Sequence, residues 1–313
     1  MPFYRNNLPQ IGAKHFLNTG GLETTLIFLE RIDLPYFAAF DLLKDQTGRE
    51  VLRRIYATYA AIAQKQKIGI ILESGTWRAS RDWGEKLGYS RDALMEANQA
   101  SVALMEEVRK EFQTADAPMV LESVIGPRGD GYSPKELMGV DEAEHYHAEQ
   151  VEWFQGTEAD FIAAITMTYP EEAIGLCKAA QAQQMPVVIS FTVETDGMLP
   201  SGHSLKEAVE AVEEATQGGP AYYMINCAHP THFEAVLSTG ESWTNRLRGI
   251  LANASSKSHA ELDEAVELDE GNPVELAEQM KGLSARLGNL NILGGCCGTD
   301  HRHIEEIGKV WAT

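Results

Sequence analysis

Eight short apolar runs recur along the chain, hydrophobic at odd and even positions alike. They are KHFLNT (14–19), GIILES (69–74), PMVLES (118–123), DFIAAIT (160–166), PVVISFT (186–192), YYMINC (222–227), RGILANA (248–254) and LNILGGC (290–296). Apolar side chains on both faces are what parallel strands carry when helices cover them. The intervening stretches show helical spacing instead. After Ser90, a residue suited to capping, Val102, Met105, Val108 and Phe112 recur on one helical face. Ser204 with Glu207, and Asp141 with Glu144, have capping-box spacing. Asn272, Pro273 and Glu275 read as an N-cap, an N1 proline and a first-turn acid. Strand followed by helix, eight times over, predicts an α/β chain folded as a closed (β/α)₈ TIM barrel, one domain over 1–313. The alternative, an open doubly wound sheet, requires a glycine-rich phosphate loop that the first run lacks in the needed form. The acidic stretch 255–273 reads as a solvated loop insertion after the seventh strand; a flap over the barrel mouth is the other reading.

A length of 313 residues suits one such barrel of about 250 residues with insertions. Asp and Glu number 46 against 26 Lys and Arg, a formal charge of −20. That excess argues against a nucleic acid or an anionic membrane surface as partner. No run approaches the roughly 18 apolar residues of a membrane span. The N-terminal stretch also lacks the charged and apolar regions of a signal peptide, so a cytoplasmic location is expected. Four cysteines are too few for a disulfide scaffold, and in a reducing compartment they point to metal binding or catalysis.

Three of the four fall where a barrel does its chemistry. Cys227 closes the sixth run, and Cys296 and Cys297 close the eighth. The C-terminal strand ends of this fold meet around one mouth, so three thiols can converge there. For neighbouring cysteines to face one point the chain must break strand alternation, and Gly294, Gly295 and Gly298 permit that. Three soft sulfurs suit Zn²⁺ with a fourth position open to water or substrate. Cys177, isolated in a helical stretch, reads as core. His229, His301 and His303 lie near the thiols, and any of them could instead complete a closed Cys₃His site. GPRGDG (126–131) reads as a turn after the third strand. Metalloprotease, nucleophile-elbow and P-loop motifs are absent.

At these residues the chain resembles the zinc-dependent homocysteine S-methyltransferases. NC (226–227) and GGCC (294–297) look like that family's zinc signature. TGGLETTL (19–26), ESGTWRAS (73–80) and SFTVETDGMLPSG (190–202) look like its first, second and fifth strand segments. The resemblance implies zinc held by Cys227, Cys296 and Cys297, backbone of Gly20 and Gly21 near an amino-acid substrate, and Glu73 and Thr76 lining the mouth. Two positions depart from the family pattern: Thr19 stands where an aspartate usually precedes the paired glycines, and Ile165 where a glutamate usually ends the fourth strand. Homocysteine is then held by other groups, or the acceptor is a different thiol.

The implied chemistry is methyl transfer from a sulfonium or quaternary ammonium donor to the thiol. Zinc deprotonates the thiol and so turns it into the nucleophile. Small molecules are the expected partners. The competing expectations are a structural zinc protein, vicinal-thiol redox work by Cys296 and Cys297, and another sulfur-compound reaction on the same barrel.

Overall fold

The computed structural model describes residues 2–135, 137–237 and 240–311, without the side chain of Asp263. Eight parallel strands close into a barrel in sequence order: β1 (Phe16–Asn18), β2 (Gly69–Glu73), β3 (Met119–Ile125), β4 (Phe161–Met167), β5 (Val187–Phe191), β6 (Tyr223–Ala228), β7 (Leu247–Ala252) and β8 (Ile292–Gly295). Closure is made by β1 against β8, with Phe16 opposite Ile292 and Leu17 opposite Leu293. Each predicted run overlaps its strand: β1, β2, β5 and β8 lie wholly inside theirs, and β3, β4, β6 and β7 extend past one end by one or two residues.

Alternation along the strands divides the apolar residues into two layers. Leu17, Ile70, Leu121, Ile162, Ile189, Ile225 and Leu293 face outward and pack beneath the helices. Phe16, Ile71, Val120, Phe161, Val188, Met224 and Ile292 face inward and fill the barrel. Nearer the C-terminal mouth the buried residues include polar ones, among them Asn18, Glu122, Ser190 and Asn226. An apolar plug below and a polar layer above make a floor on which a polar site can rest.

The helices form largely where their signals lie. Ser90 accepts a hydrogen bond from Ala93 N at the head of Arg91–Phe112. The Ser204–Glu207 box is complete, and Asn272 caps Pro273–Gly282. The Asp141–Glu144 box does not form. Gly139 is the cap residue and the helix starts at Val140, so Asp141 lies inside the first turn, where its charge favours the helix dipole. The eightfold repeat is also irregular after β6. There a four-residue helix (Pro230–Phe233) and 3₁₀ turns stand in for a full helix. Among the described residues no helix is long and apolar enough to cross a membrane.

Candidate metal centre and substrate cavity

Two local distortions bring the three thiols together. At the end of β6, Cys227 adopts a left-handed backbone with φ 53°, beside a register shift between Asn226 and Ala228. A non-glycine residue held there costs on the order of 1 kcal/mol and persists only if its surroundings enforce it. They do so through side chains. Asn253 Nδ2 donates to the Cys227 carbonyl at 3.0 Å, and His259 Nε2 lies 2.6 Å from the same oxygen. The preceding Asn226 accepts from Ser190 Oγ (2.7 Å) and Thr166 N (3.0 Å) and donates to Thr166 Oγ1 (2.8 Å). It thereby ties the ends of β4, β5 and β6.

At the end of β8 the chain turns sharply. Cys296 N donates to Ala252 O on β7, and the Cys296 carbonyl accepts from both Thr299 N and Thr299 Oγ1. Gly298, at φ 81°, completes a turn that puts both sulfurs on one side. The Sγ atoms of Cys227, Cys296 and Cys297 all lie within 4.8 Å of one another, Cys227 and Cys297 at 3.9 Å. Hydrogen bonds from Cys227 and Cys296 hold Cys297 well below the usual thiol range, while Cys296 is pushed well above it. Three thiolates this close repel one another, so their joint ionisation calls for a cation between them. The trio could hold a metal ion. Among the described residues, no other His, Cys, Asp or Glu atoms form such a group.

The histidines nearby have other work. His229 caps Pro230–Phe233 through Nδ1, and burial pushes it down to about 4. His303 holds the Glu270 carbonyl with Nε2 and lies beside Asp300 with Nδ1. His301 is exposed at the start of the last helix. Cys177 is fully buried in the core, as expected.

The sulfurs line a cavity of about 310 Å³ at the barrel mouth. Gly20, Gly21 and Glu73 are among the residues that line it. A Cβ on Gly21 would collide with the Cys296 carbonyl, so the paired glycines let the end of β1 approach the Cys296–Thr299 turn closely. Thr76 does not line the cavity. Its hydroxyl is engaged by Ser74 Oγ at 2.6 Å and the Val124 carbonyl at 2.7 Å, and it fixes the backbone between the lining residues Ser74 and Trp77. Thr19 and Ile165 are both buried near the mouth, and Thr19 Oγ1 donates to Glu73 Oε2 at 3.2 Å. A carboxylate is therefore present beside Thr19, carried by β2 rather than β1. Burial, with Glu23 nearby, pushes Glu73 up to about 8; burial likewise lifts Glu23 to about 7.

Among the lining residues that the sequence did not single out are Glu23, Arg78, Tyr132 and His259, which carry titratable groups. Glu23 sits one turn beyond the paired glycines. Arg78 follows Trp77. Tyr132, just past the stretch read as a plain turn, brings its hydroxyl to 3.4 Å from Cys227 Sγ and 3.6 Å from Cys297 Sγ. His259 stacks on the Tyr132 ring, with centroids 4.1 Å apart. His259 opens the helix His259–Asp263 inside the acidic stretch, and Leu262, Ala265 and Leu268 of that stretch also line the cavity. The segment is thus not merely solvated: it covers the mouth. Its apolar residues are spaced too irregularly among acids to show a buried face in the sequence.

Comparison with known proteins agrees with this geometry. The sequence pattern of a family described as homocysteine S-methyltransferase matches residues 17–311. A methionine synthase of Mycobacterium leprae is 31% identical over 139 residues, which cover 40% of this chain and 10% of that protein. The chain thus matches about a tenth of the length of that relative. Homocysteine S-methyltransferase 4 of Zea mays is 21% identical over 257 residues, 76% of this chain and 74% of that one. The metallated form of the homocysteine methyltransferase MmuM from Escherichia coli shares the fold, with a TM-score of 0.75 at 17% identity over 95% of this chain and 97% of that one. With 17–311 matched by one family pattern, the chain belongs to the homocysteine S-methyltransferase family.

Proposed function

We propose that the chain is a zinc-dependent S-methyltransferase that moves a methyl group from a sulfonium or quaternary ammonium donor to homocysteine or a related amino-acid thiol. The observation that carries this reading is the convergence of Cys227, Cys296 and Cys297 on one wall of a closed-over cavity. Ligands on a tetrahedral zinc with Zn–S bonds of about 2.3 Å stand about 3.8 Å apart, and the 3.9 Å between Cys227 and Cys297 matches that spacing. Soft sulfur donors favour zinc over magnesium, calcium or manganese. When bound, zinc supplies the Lewis acidity that keeps an acceptor thiol deprotonated at neutral pH.

The protein's own residues do the rest. Asn226, Asn253 and His259 lock the backbone that aims Cys227. Gly20 and Gly21 present main chain to the substrate, and Glu73, with Glu23 near it, offers the negative charge that an α-ammonium needs once desolvated. Tyr132 and the 255–269 flap cover the thiols and exclude water from the reacting atoms. The acceptor sulfur bonds to the methyl carbon as the donor's C–S or C–N bond breaks. The donor leaves as a neutral thioether or amine, and the thiol proton passes to water. Holding the two reactants together can supply about 7–11 kcal/mol of the barrier. Free thiols at such a site need a reducing compartment, as the expected cytoplasmic location provides.

The test is a panel of thiols against methyl donors on the zinc-loaded protein, with mass detection of product. A methylated thioether from at least one amino-acid thiol is the expected result. No methylated thiol from any pairing would refute the reading.

A further inference from the structure

Arg78 is a buried cation without a carboxylate partner. It is 7% exposed, lines the thiol cavity, and makes no ion pair within 4 Å among the described residues. Its guanidinium lies between two indole rings, 3.9 Å from the centroids of both Trp77 and Trp83. Nη1 donates to the Gly129 carbonyl at 2.8 Å, while Nε is buried with no partner. Asp130, the carboxylate that acts on it most strongly through space, has its Oδ1 engaged by the backbone N–H groups of Tyr132 and Ser133 at 2.9 Å.

A guanidinium removed from water and left short of acceptors costs free energy that stacking on aromatic faces offsets only in part. Its planar fork is rigid, and the two indoles prevent it from swinging out to solvent. Burial pushes it down to about 10, which still leaves it charged at neutral pH. The opposite problem exists in the same cavity. Glu73 has a buried Oε1 with no partner, and neither Glu73 nor Glu23 has a cationic partner within 4 Å among the described residues. Arg78 is short of an anion and Glu73 is short of a cation, and no ion pair within 4 Å joins them among the described residues, although Arg78 and Glu23 act on each other through space.

We propose that Arg78 anchors the carboxylate of a zwitterionic ligand whose cationic group faces Glu73 and Glu23. This rests on the reading of the cavity as the substrate site. It adds the group that selects for a carboxylate and the side of the cavity on which that carboxylate sits. The carboxylate can belong to the acceptor, as in an amino-acid thiol, or to the donor, as in a betaine-like or amino-acid sulfonium compound. A charge-assisted pair of this kind discriminates by about 10- to 100-fold in affinity.

Calorimetric binding to the zinc-loaded protein tests it with matched pairs: homocysteine against 3-aminopropanethiol, and glycine betaine against choline. Wild type is expected to prefer the carboxylated member of at least one pair by about 10- to 100-fold, and the pair that shows it identifies the source. Arg78→Gln is expected to erase that preference while leaving binding of the uncarboxylated member within about threefold. Arg78→Lys, which keeps the charge but loses the fork, is expected to restore it in part. Equal binding of both members of each pair by wild type overturns the anchor and leaves the transfer reading standing, and needs no variant to fold. Retained preference in a folded Arg78→Gln protein also overturns it, reducing Arg78 to a staple between two tryptophans. Wild type that binds no member of either pair overturns the anchor, and the transfer reading is then decided by the thiol-by-donor panel.

Discussion

Cys297 differs from its two partners in that the other thiols donate hydrogen bonds to it. It is therefore the sulfur most readily ionised and the first expected to engage a metal, since the thiolate is the ligand form. Cys297→Ala is expected to lower zinc affinity by more than about 100-fold, above the range seen when only a supporting group is lost. Methyl transfer should go with it, while the far-ultraviolet circular dichroism stays that of a folded barrel. Metal analysis after dialysis against a weak chelator reads the first effect directly. A mutant that keeps its zinc would remove Cys297 from the ligand set. Cys177 is the internal contrast: the same residue type, pushed up to about 12 by burial and far from solvent, serves only as a small apolar filler.

Strand ends and loops, more than single side chains, make this site. The turn Cys296–Thr299, the left-handed end of β6 and the paired glycines after β1 together shape the cavity, and Gly21 is where the glycines press on the turn. Gly21→Ala would drive its Cβ into the Cys296 carbonyl. The expected outcome is a displaced metal turn, with kcat/KM down by about 100-fold, the usual result of a misplacement near 1 Å. Kinetics on zinc-saturated protein check this, and unchanged kcat/KM would show that the turn can relax. The 255–269 segment holds the Cys227 carbonyl and the Tyr132 ring through His259, so it belongs to the site although its composition is that of a surface loop.

Considered as a whole, the barrel buries carboxyl groups where water is scarce. Glu73 and Glu23 bind their protons up to about 8 and about 7, against 4.5 ordinarily. Between these values the folded chain holds more protons than the unfolded chain, so stability falls as pH rises through that window. The ligand-free protein is expected to lose on the order of a few kcal/mol of unfolding free energy between about pH 5 and about pH 8. Glu73→Gln, which mimics the protonated group, should show a clearly shallower fall. Urea unfolding of both proteins across that range is the measurement, and parallel curves would refute the assignment. A cationic ligand should reverse the trend, because it supplies the missing partner to the ionised carboxylates.

Much of this organisation is local and therefore readable in the chain. Strands covered on both faces must be apolar at every position, helix starts must satisfy free N–H groups, and both requirements leave short-range patterns. Hence β1 to β8, the Ser90, Ser204 and Asn272 caps and the thiol trio at two strand ends were all legible. The Asp141–Glu144 box was not, because Gly139 starts the helix earlier than the side-chain spacing suggests. What the three-dimensional packing alone decided are relations between distant segments. It placed Glu73 beside Thr19, turned Thr76 away from the cavity, and brought Tyr132 and His259 over the sulfurs. It also caught Arg78 between two indoles. Apart from the Arg78 stack, whose partners are close in sequence, these contacts join residues about 50 to 165 positions apart, and no pattern of neighbours along the chain encodes them. Closure of the barrel sets those distances.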